Sequence, residues 1–241
     1  MFHNYICAQK MKAFSLLELS IVVAIASLII TATTIGQHIL ERAKIISTIN
    51  QFNQLETAII NFKDRYYAYP GDFNDAFRYF DNGENICGTA KECNGDGDNK
   101  IEIGEKYNSE AYRAWQHLSL AKIIKGSFSG IWGQEKYLMQ AKISGNLTIK
   151  HEDNFGNIIK LGEFYSVNGQ TSDVGAISPE NAEIIDKKID DSLPKTGQII
   201  GMDGIAQGSK QKLYDKNCLL NNKYKVNHKV SKSCTLGFKI Y

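Results

Sequence analysis

The first pattern in the chain is a long apolar run near its N-terminus. From Leu19 to Leu40 no residue carries a formal charge, and most are Ile, Val, Ala, Leu or Thr. An α-helix rises about 1.5 Å per residue, so a helix of this length can cross the hydrocarbon core of a bilayer. The pattern predicts a membrane-spanning helical half over residues 14–40.

After Glu41 the pattern becomes that of one helix face. Apolar residues recur at steps of three and four, polar residues occupy the other face, and no proline interrupts the helix before Pro70. We therefore expect one continuous helix whose amphipathic half, residues 41–66, packs on a globular head formed by residues 67–241. The apolar positions are Ile45, Ile49, Phe52, Leu55, Ile59, Phe62 and Tyr66.

The rest of the chain alternates short helical and strand patterns. Residues 109–125 predict an amphipathic helix capped by Ser109, and Asp72 is a suitable N-cap for a short helix after Pro70 and Gly71. Runs of β-branched and aromatic residues between Gly and Asn turns predict strands. These runs cover residues 146–150, 158–167, 197–202 and 235–241.

The charge balance limits what the protein binds. The formal net charge of +2 comes from 28 basic and 26 acidic residues, and Lys10 and Lys12 precede the apolar run, so the remaining chain is neutral. Binding of nucleic acid depends on a basic surface, so nucleic acid is not an expected partner. The two lysines also predict that everything after Leu40 lies beyond the inner membrane, as a single-pass protein.

Four of the five cysteines lie in the head, in two close pairs, whereas Cys7 precedes the apolar run. Cysteine pairs that close short loops outside the cytoplasm usually form disulfides. Three connectivities exist on paper, and proximity favours Cys87 with Cys93 and Cys218 with Cys234. Free buried thiols are the alternative.

The start of the apolar run carries a specific motif. The small residue Ala13 precedes Phe14, and Glu18 lies at the edge of the apolar helix. A carboxylate at that place is costly and needs a partner of opposite charge, which a second molecule could supply. A plain signal anchor with an incidental glutamate is the alternative interpretation.

The segment from Ala13 to Glu18 resembles the cleavage and methylation motif of type IV prepilins and type II secretion pseudopilins, although Ala13 stands where Gly is usual. The resemblance implies that prepilin peptidase, a membrane aspartic peptidase, cuts between Ala13 and Phe14. Cleavage would remove a leader of residues 1–13, and the new Phe14 amine would be methylated. Glu18 would then pair with that amine on a neighbouring subunit and set the register of assembly. Met11 is a second candidate for the initiating residue.

The resemblance also implies fold and function. The fold would be α+β and pilin-like, with the amphipathic half of the helix across an antiparallel sheet. The protein would be a filament subunit, either a secretion pseudopilin or a minor pilin. Its partners would be other pilin or pseudopilin subunits and an inner-membrane assembly platform, and its head would lie in the periplasm or on the cell surface.

Two other functions remain as alternatives. One is a membrane-anchored calcium-dependent enzyme or binding protein, and the other is a DNA-uptake pilin. Catalysis is not expected, because no Ser/His/Asp, Cys/His or paired-carboxylate arrangement stands out in the sequence. His117 is interpreted as structural or solvent-facing, since no second ligand or catalytic group has a suitable spacing.

The segment of the head with the most potential metal ligands runs from Cys93 to Glu105. Its oxygen-bearing residues alternate as in a loop that wraps calcium, and Asn99 stands where a left-handed backbone is required. Such oxygens select calcium over zinc or copper, so we predict a structural Ca²⁺ site. An acidic surface turn without metal is the alternative. The predicted ligands are Asn94, Asp96, Asp98, the carbonyl of Lys100, Glu102 and Glu105.

A second acidic segment precedes Pro194. Residues 184–193 predict a short helix that ends there. Asp190 and Asp191 could complete a metal site, but a solvated helix end is the favoured interpretation.

Overall fold

The computed structural model describes residues 15–81, 87–104, 109–131, 137–164, 173–206, 214, 216–226 and 232–241. The chain divides into two compact units, the first ending at Ala43 and the second covering Lys44–Tyr241.

Helix α1 (Leu16–Tyr66) is 51 residues long and belongs to both units. In the first unit its large apolar side chains are exposed. Among the described residues it is the one helix long and apolar enough to cross a membrane, judged by length and a mean hydropathy of 2.2. The hydroxyls of Ser20, Ser27 and Thr31 each donate to a carbonyl oxygen about one turn earlier at 2.8 Å. These polar groups are therefore satisfied within the helix, as a lipid environment requires.

In the second unit α1 buries one face, and of the seven predicted apolar positions only Ile49 and Tyr66 are partly buried rather than buried. Its fully or nearly fully buried side chains are Ile45, Thr48, Phe52, Leu55, Ala58, Ile59 and Phe62. The helix ends at Tyr66 because Tyr67 adopts a left-handed φ of 55°, and its N–H donates to the Lys63 carbonyl oxygen at 2.8 Å. This is a single-bond left-handed cap, and the proline at position 70 follows it.

A five-stranded antiparallel sheet forms the centre of the second unit. Its strands are β1 (Met139–Gln140), β2 (Asn146–Glu152), β3 (Gly156–Gly162), β4 (Ile199–Asp203) and β7 (Cys234–Lys239), in the order β1-β2-β3-β7-β4. β5 (Leu219–Leu220) and β6 (Lys223–Tyr224) form a separate hairpin. The fold is thus α+β with a long N-terminal helix, and all four predicted strand regions contain a strand.

The main core lies between α1 and one face of the sheet. Phe52 of α1 stacks on Phe238 of β7 with ring centroids 5.4 Å apart. Residues at alternate positions of the strands complete this face, as a pleated strand requires. They are Leu147, Ile149, Ile159, Leu161 and Leu236.

Both edges of the sheet have partners on their outer sides. At β1, the Gln51 side chain of α1 donates to the Gln140 carbonyl oxygen at 3.1 Å and accepts the Lys142 N–H at 2.8 Å. At β4, Gly201 N–H donates to the Pro194 carbonyl oxygen at 2.9 Å. These hydrogen bonds satisfy some of the backbone groups on the outer sides of β1 and β4.

Within the described ranges, the second unit has four short helices besides α1: α2 (Ala76–Phe80), α3 (Ala90–Cys93), α4 (Glu110–Leu120) and α5 (Pro179–Ile189). α4 ends five residues before its predicted end, because Lys122 adopts a left-handed φ of 58°. The prediction of Asp72 as an N-cap was wrong, since Asp75 precedes α2. α5 begins earlier than predicted, where the Ser178 hydroxyl accepts the Asn181 N–H at 3.2 Å.

Two disulfides have the pairing that proximity favoured. Cys87 pairs with Cys93 and Cys218 with Cys234, at Cα separations of 5.1 Å and 5.0 Å. The first disulfide closes a loop that ends in α3, and the second ties the β5–β6 region to β7.

Candidate metal centre

Three carboxylates meet at the loop that precedes α4. Oxygen atoms of Asp72, Asp96 and Asp98 all lie within 4.8 Å of one another, a spacing that could hold a metal ion. Asp96 and Asp98 are exposed and belong to the predicted loop, whereas Asp72 is 1% exposed and was not predicted. Hard carboxylate oxygens of this kind suit calcium.

Asp72 organises the backbone of the loop. Its Oδ1 accepts the N–H groups of Gly97 at 2.7 Å and Asp98 at 3.1 Å, and its Oδ2 accepts that of Asn99 at 2.9 Å. The loop passes so close that a Cβ at Gly95 would overlap the Asp72 backbone. Glycine at position 95 was the sequence signal for this close approach.

The loop has the local conformation that the sequence predicted. Asn99 has a φ of 70°, which confirms the predicted left-handed backbone, and Gly97 has a φ of 83°. The Asp98 N–H donates to Asp96 Oδ1 at 3.1 Å, and the Lys100 N–H donates to Asp98 Oδ1 at 2.7 Å. In each of these Asx turns, an aspartate oxygen accepts the N–H two residues further on. The two turns place Asp96 and Asp98 on the same side of the loop as Asp72.

Glu110, the first residue of α4, binds the backbone of the loop through its side chain. Its carboxylate accepts the Asp96 N–H at 2.9 Å and the Glu102 N–H at 3.2 Å, and the side chain is buried. This residue was also absent from the predicted set. Its position at a helix N-terminus is favourable for a negative charge.

The two supporting carboxyl groups have raised pKa values. Burial raises the pKa of Asp72 to about 6. The charges of Asp98 and Asp96 also raise this pKa, whereas the hydrogen bonds from the Gly97 and Asn99 N–H groups lower it. Burial likewise raises the pKa of Glu110 to about 7. Negative charge is therefore costly at this loop near neutral pH, and a bound cation would offset that cost.

The side chains of two other predicted loop residues, Asn94 and Lys100, have contacts of their own. The Asn94 side-chain oxygen accepts the Phe77 N–H of α2 at 2.7 Å, so it is engaged away from the three carboxylates. The side chain of Glu102 is exposed, and the Lys100 ammonium lies 3.8 Å from Asp98. Glu105 lies outside the described residues.

A second acidic group lies at the end of α5, where Asp186, Asp190 and Asp191 also come within 4.8 Å. Each carboxylate accepts hydrogen bonds from the protein. The donors include the Tyr224 hydroxyl to Asp186 at 2.6 Å, the Ile199 N–H to Asp190 at 3.1 Å and the Thr196 hydroxyl to Asp191 at 2.5 Å. These contacts tie α5 to β4 and β6, which is a structural role.

His117 of α4 is fully buried, so the solvent-facing alternative was wrong. Its Nδ1 accepts the Gly71 N–H at 2.9 Å, and its Nε2 lies 2.8 Å from the Cys93 carbonyl oxygen, to which it donates. Burial lowers the pKa of His117 to about 4, opposed by the hydrogen bond to Cys93. The imidazole is therefore neutral and joins the turn after α1 to the start of the acidic loop.

At the N-terminus, Glu18 lies in the first turn of α1 and is exposed. The predicted cleavage residues Ala13 and Phe14 lie outside the described residues. Comparison of the chain with protein-family models, with curated proteins and with solved structures finds no match.

Proposed function

We propose that this chain is a type IV pilin-like filament subunit, either a secretion pseudopilin or a minor pilin. In this proposal a prepilin peptidase cuts between Ala13 and Phe14 and methylates Phe14. The mature subunit stays in the inner membrane through the first part of α1, and its head lies in the periplasm or on the cell surface. Glu18 pairs with the Phe14 amine of a neighbouring subunit.

The observation that carries the proposal is the difference in burial between the first and second parts of α1. One uninterrupted helix exposes apolar side chains up to Ala43 and, from Ile45 onwards, buries an apolar stripe against an antiparallel sheet. An exposed apolar surface of this length needs lipid or other helices around it. A filament subunit uses both environments, first the bilayer and then a bundle of identical helices.

The N-terminal chemistry tests the proposal directly. The full chain is produced in a bacterium with and without a prepilin peptidase, and the membrane fraction is analysed by mass spectrometry. We expect a mature protein that begins with N-methylated Phe14 only when the peptidase is present. A mature N-terminus at any other residue would reject the proposal.

Assembly is tested separately with Glu18→Gln. Two differently tagged copies are expressed together, and their co-purification from sheared filaments is measured. The variant should be processed and inserted normally but should co-purify poorly, because it lacks the charge that sets register. Glu41→Gln is the matched control and should co-purify as the wild type does.

For the acidic loop we propose a structural calcium site formed by Asp72, Asp96 and Asp98. The observation behind it is the convergence of three carboxylates on a loop whose supporting groups have raised pKa values. Calorimetric titration of the full chain in detergent with CaCl₂ should give a saturable heat that Asp98→Asn abolishes. Heat that survives in Asp98→Asn would place the calcium elsewhere.

A further inference from the structure

A buried charge cluster lies on the sheet face opposite α1. The Lys160 ammonium lies 2.5 Å from Asp173 Oδ1 and 3.4 Å from Glu152 Oε1. The side chains of Lys160 and Asp173 are only 5% and 8% exposed, and Glu152 also pairs with Lys150 at 2.7 Å. In the described part of the chain this is the one ion pair with both side chains less than a tenth exposed.

Both partners are held by backbone hydrogen bonds. Lys160 lies in the middle of β3, opposite Thr148 on β2 and Gly237 on β7. The Asp173 carbonyl oxygen accepts the Ile205 N–H at 2.7 Å, and the adjacent Val174 exchanges two backbone bonds with Glu163 at 2.9 Å and 3.0 Å. The amine and the carboxyl group are therefore held close together, and proximity of this kind favours an intramolecular reaction.

We propose that the Lys160 amine and the Asp173 carboxyl group condense to an intramolecular amide bond, with Glu152 as the proton carrier. The Lys160 ammonium passes a proton to Glu152, and Glu152 passes that proton on to an oxygen of the Asp173 carboxylate. The neutral Nζ then attacks Cγ of Asp173, the N–C bond forms, and one C–O bond breaks. Two of the ammonium protons leave with the Asp173 oxygen as water, Glu152 ends as it began, and nothing is oxidised or reduced.

The surroundings suit each part of this step. Two buried charges carry a large desolvation cost, and a neutral amide removes it while keeping one N–H donor for Glu152. Glu152 must be ionised to accept a proton. Burial acts to raise its pKa, but the charge of Lys160, together with the hydrogen bond and charge of Lys150, outweighs burial and holds the pKa below its usual value.

The expelled water also has an exit. Lys160, Asp173 and Glu152 line one cleft of about 630 Å³ that is open to solvent. The amide would join the central strand β3 to the segment at Asp173, and it would close a covalent ring over residues 160–173. Such a ring is independent of the two disulfides and resists reduction.

Mass spectrometry of the purified full chain tests the proposal. After reduction of the disulfides, we expect the intact mass to be lower than the mass of the processed sequence by one water molecule. Trypsin does not cut after an acylated lysine, and no Lys or Arg lies between Lys160 and Lys187. Digestion should therefore leave residues 151–187 as one peptide that is lighter than its sequence by one water molecule. Lys160→Arg should restore the full mass, and Glu152→Gln should lower the joined fraction several-fold.

Lys232→Arg is the matched control, because Lys232 forms an ion pair with Glu163 at 2.5 Å in which both side chains are more than a quarter exposed. This variant should keep the mass deficit. A wild-type protein with its full mass, and with tryptic cleavage after Lys160, would overturn the proposal. A deficit that maps to another place, such as a cyclised Asp96–Gly97 bond, would overturn it as well.

Discussion

The imidazole of His117 donates a 2.8 Å hydrogen bond to the carbonyl oxygen of Cys93, and this bond links α4 to the beginning of the acidic loop. The other ring nitrogen accepts the Gly71 N–H, next to Asp72. A single neutral side chain therefore fixes both chain segments that supply the candidate calcium ligands. Replacing it should affect the loop as well as the core.

His117→Gln should lower the free energy of unfolding, with a pH dependence that has a definite sign. The pKa of His117 is lowered from 6.5 to about 4 in the folded protein, so the neutral form is favoured on folding. Its contribution, roughly 3 kcal/mol, is fully present above pH 6.5 and is lost as the pH falls towards 4.

The measurement is denaturant unfolding of wild type and His117→Gln between pH 4 and 8. The difference between the two free energies should be largest at pH 7 and should shrink below pH 6.5. The carboxyl groups with raised pKa values make stability depend on pH in the opposite direction to His117. Both proteins contain these groups, so their effect cancels in the difference between the two free energies. A difference that stays constant with pH would contradict a buried neutral imidazole.

Asp72→Asn should loosen the acidic loop. The substituted amide side chain would keep one oxygen acceptor and would turn an amide donor towards backbone N–H groups, so at least one of three hydrogen bonds is lost. The lost hydrogen bond costs about 1–3 kcal/mol of the free energy of unfolding. In EDTA near neutral pH, removal of the buried charge offsets part of this cost, so we expect a small net fall. If Asp72 is also a calcium ligand, the deficit should grow when CaCl₂ replaces EDTA.

Thermal unfolding with CaCl₂ and with EDTA measures both effects. Asp75→Asn is the control, since Asp75 makes an exposed ion pair with Arg78 at 3.1 Å and should change stability little. An equal deficit in calcium and in EDTA would leave Asp72 as a support of the loop and exclude it as a ligand.

The two disulfides should differ in their effect on stability. Cys218 and Cys234 are 16 residues apart and Cys87 and Cys93 only 6, so the pair with the longer loop restricts the unfolded chain more. Replacing Cys218 and Cys234 by serine should cost about 3 kcal/mol, and replacing Cys87 and Cys93 about 2 kcal/mol. Denaturant unfolding of the two double variants measures this order, and the reverse order would show that local effects dominate over loop length.

Gln51→Ala should weaken the attachment of α1 to the sheet. The Gln51 amide makes two hydrogen bonds with the β1 edge, and their loss leaves the Gln140 carbonyl oxygen and the Lys142 N–H without this partner. We expect a loss of about 1–2 kcal/mol in the free energy of unfolding. Gln54→Ala, at an exposed position one turn along the same helix, should have little effect. An equal loss in Gln54→Ala would show that the hydrogen bonds of Gln51 are not its source.

Local patterns in the sequence predicted much of the fold. The spacing of Ile45, Phe52 and Ile59 identified the buried face of α1, because a helix repeats its contacts every three or four residues. Proximity also favoured the observed disulfide pairing. These features depend on residues that are close together in the chain.

The parts of the site that were missed depend on contacts between distant residues. Asp72 had the sequence context of an N-cap, yet its carboxylate binds N–H groups 25 to 27 residues further along. The role of His117 could not be predicted because its partners are backbone atoms, which every residue type has. Strand alternation places Lys160 on the opposite face from Ile159, but the carboxylate of Asp173 comes from a separate segment.

The Gln51 side chain and the Pro194 carbonyl oxygen have a consequence for how copies of this head can associate. An unprotected sheet edge offers a template on which a foreign strand can pair, and it is a common route to aggregation and domain swapping. Here the outer sides of β1 and β4 already engage groups of the same chain. A foreign strand would have to displace these hydrogen bonds before it could pair with either edge at these positions.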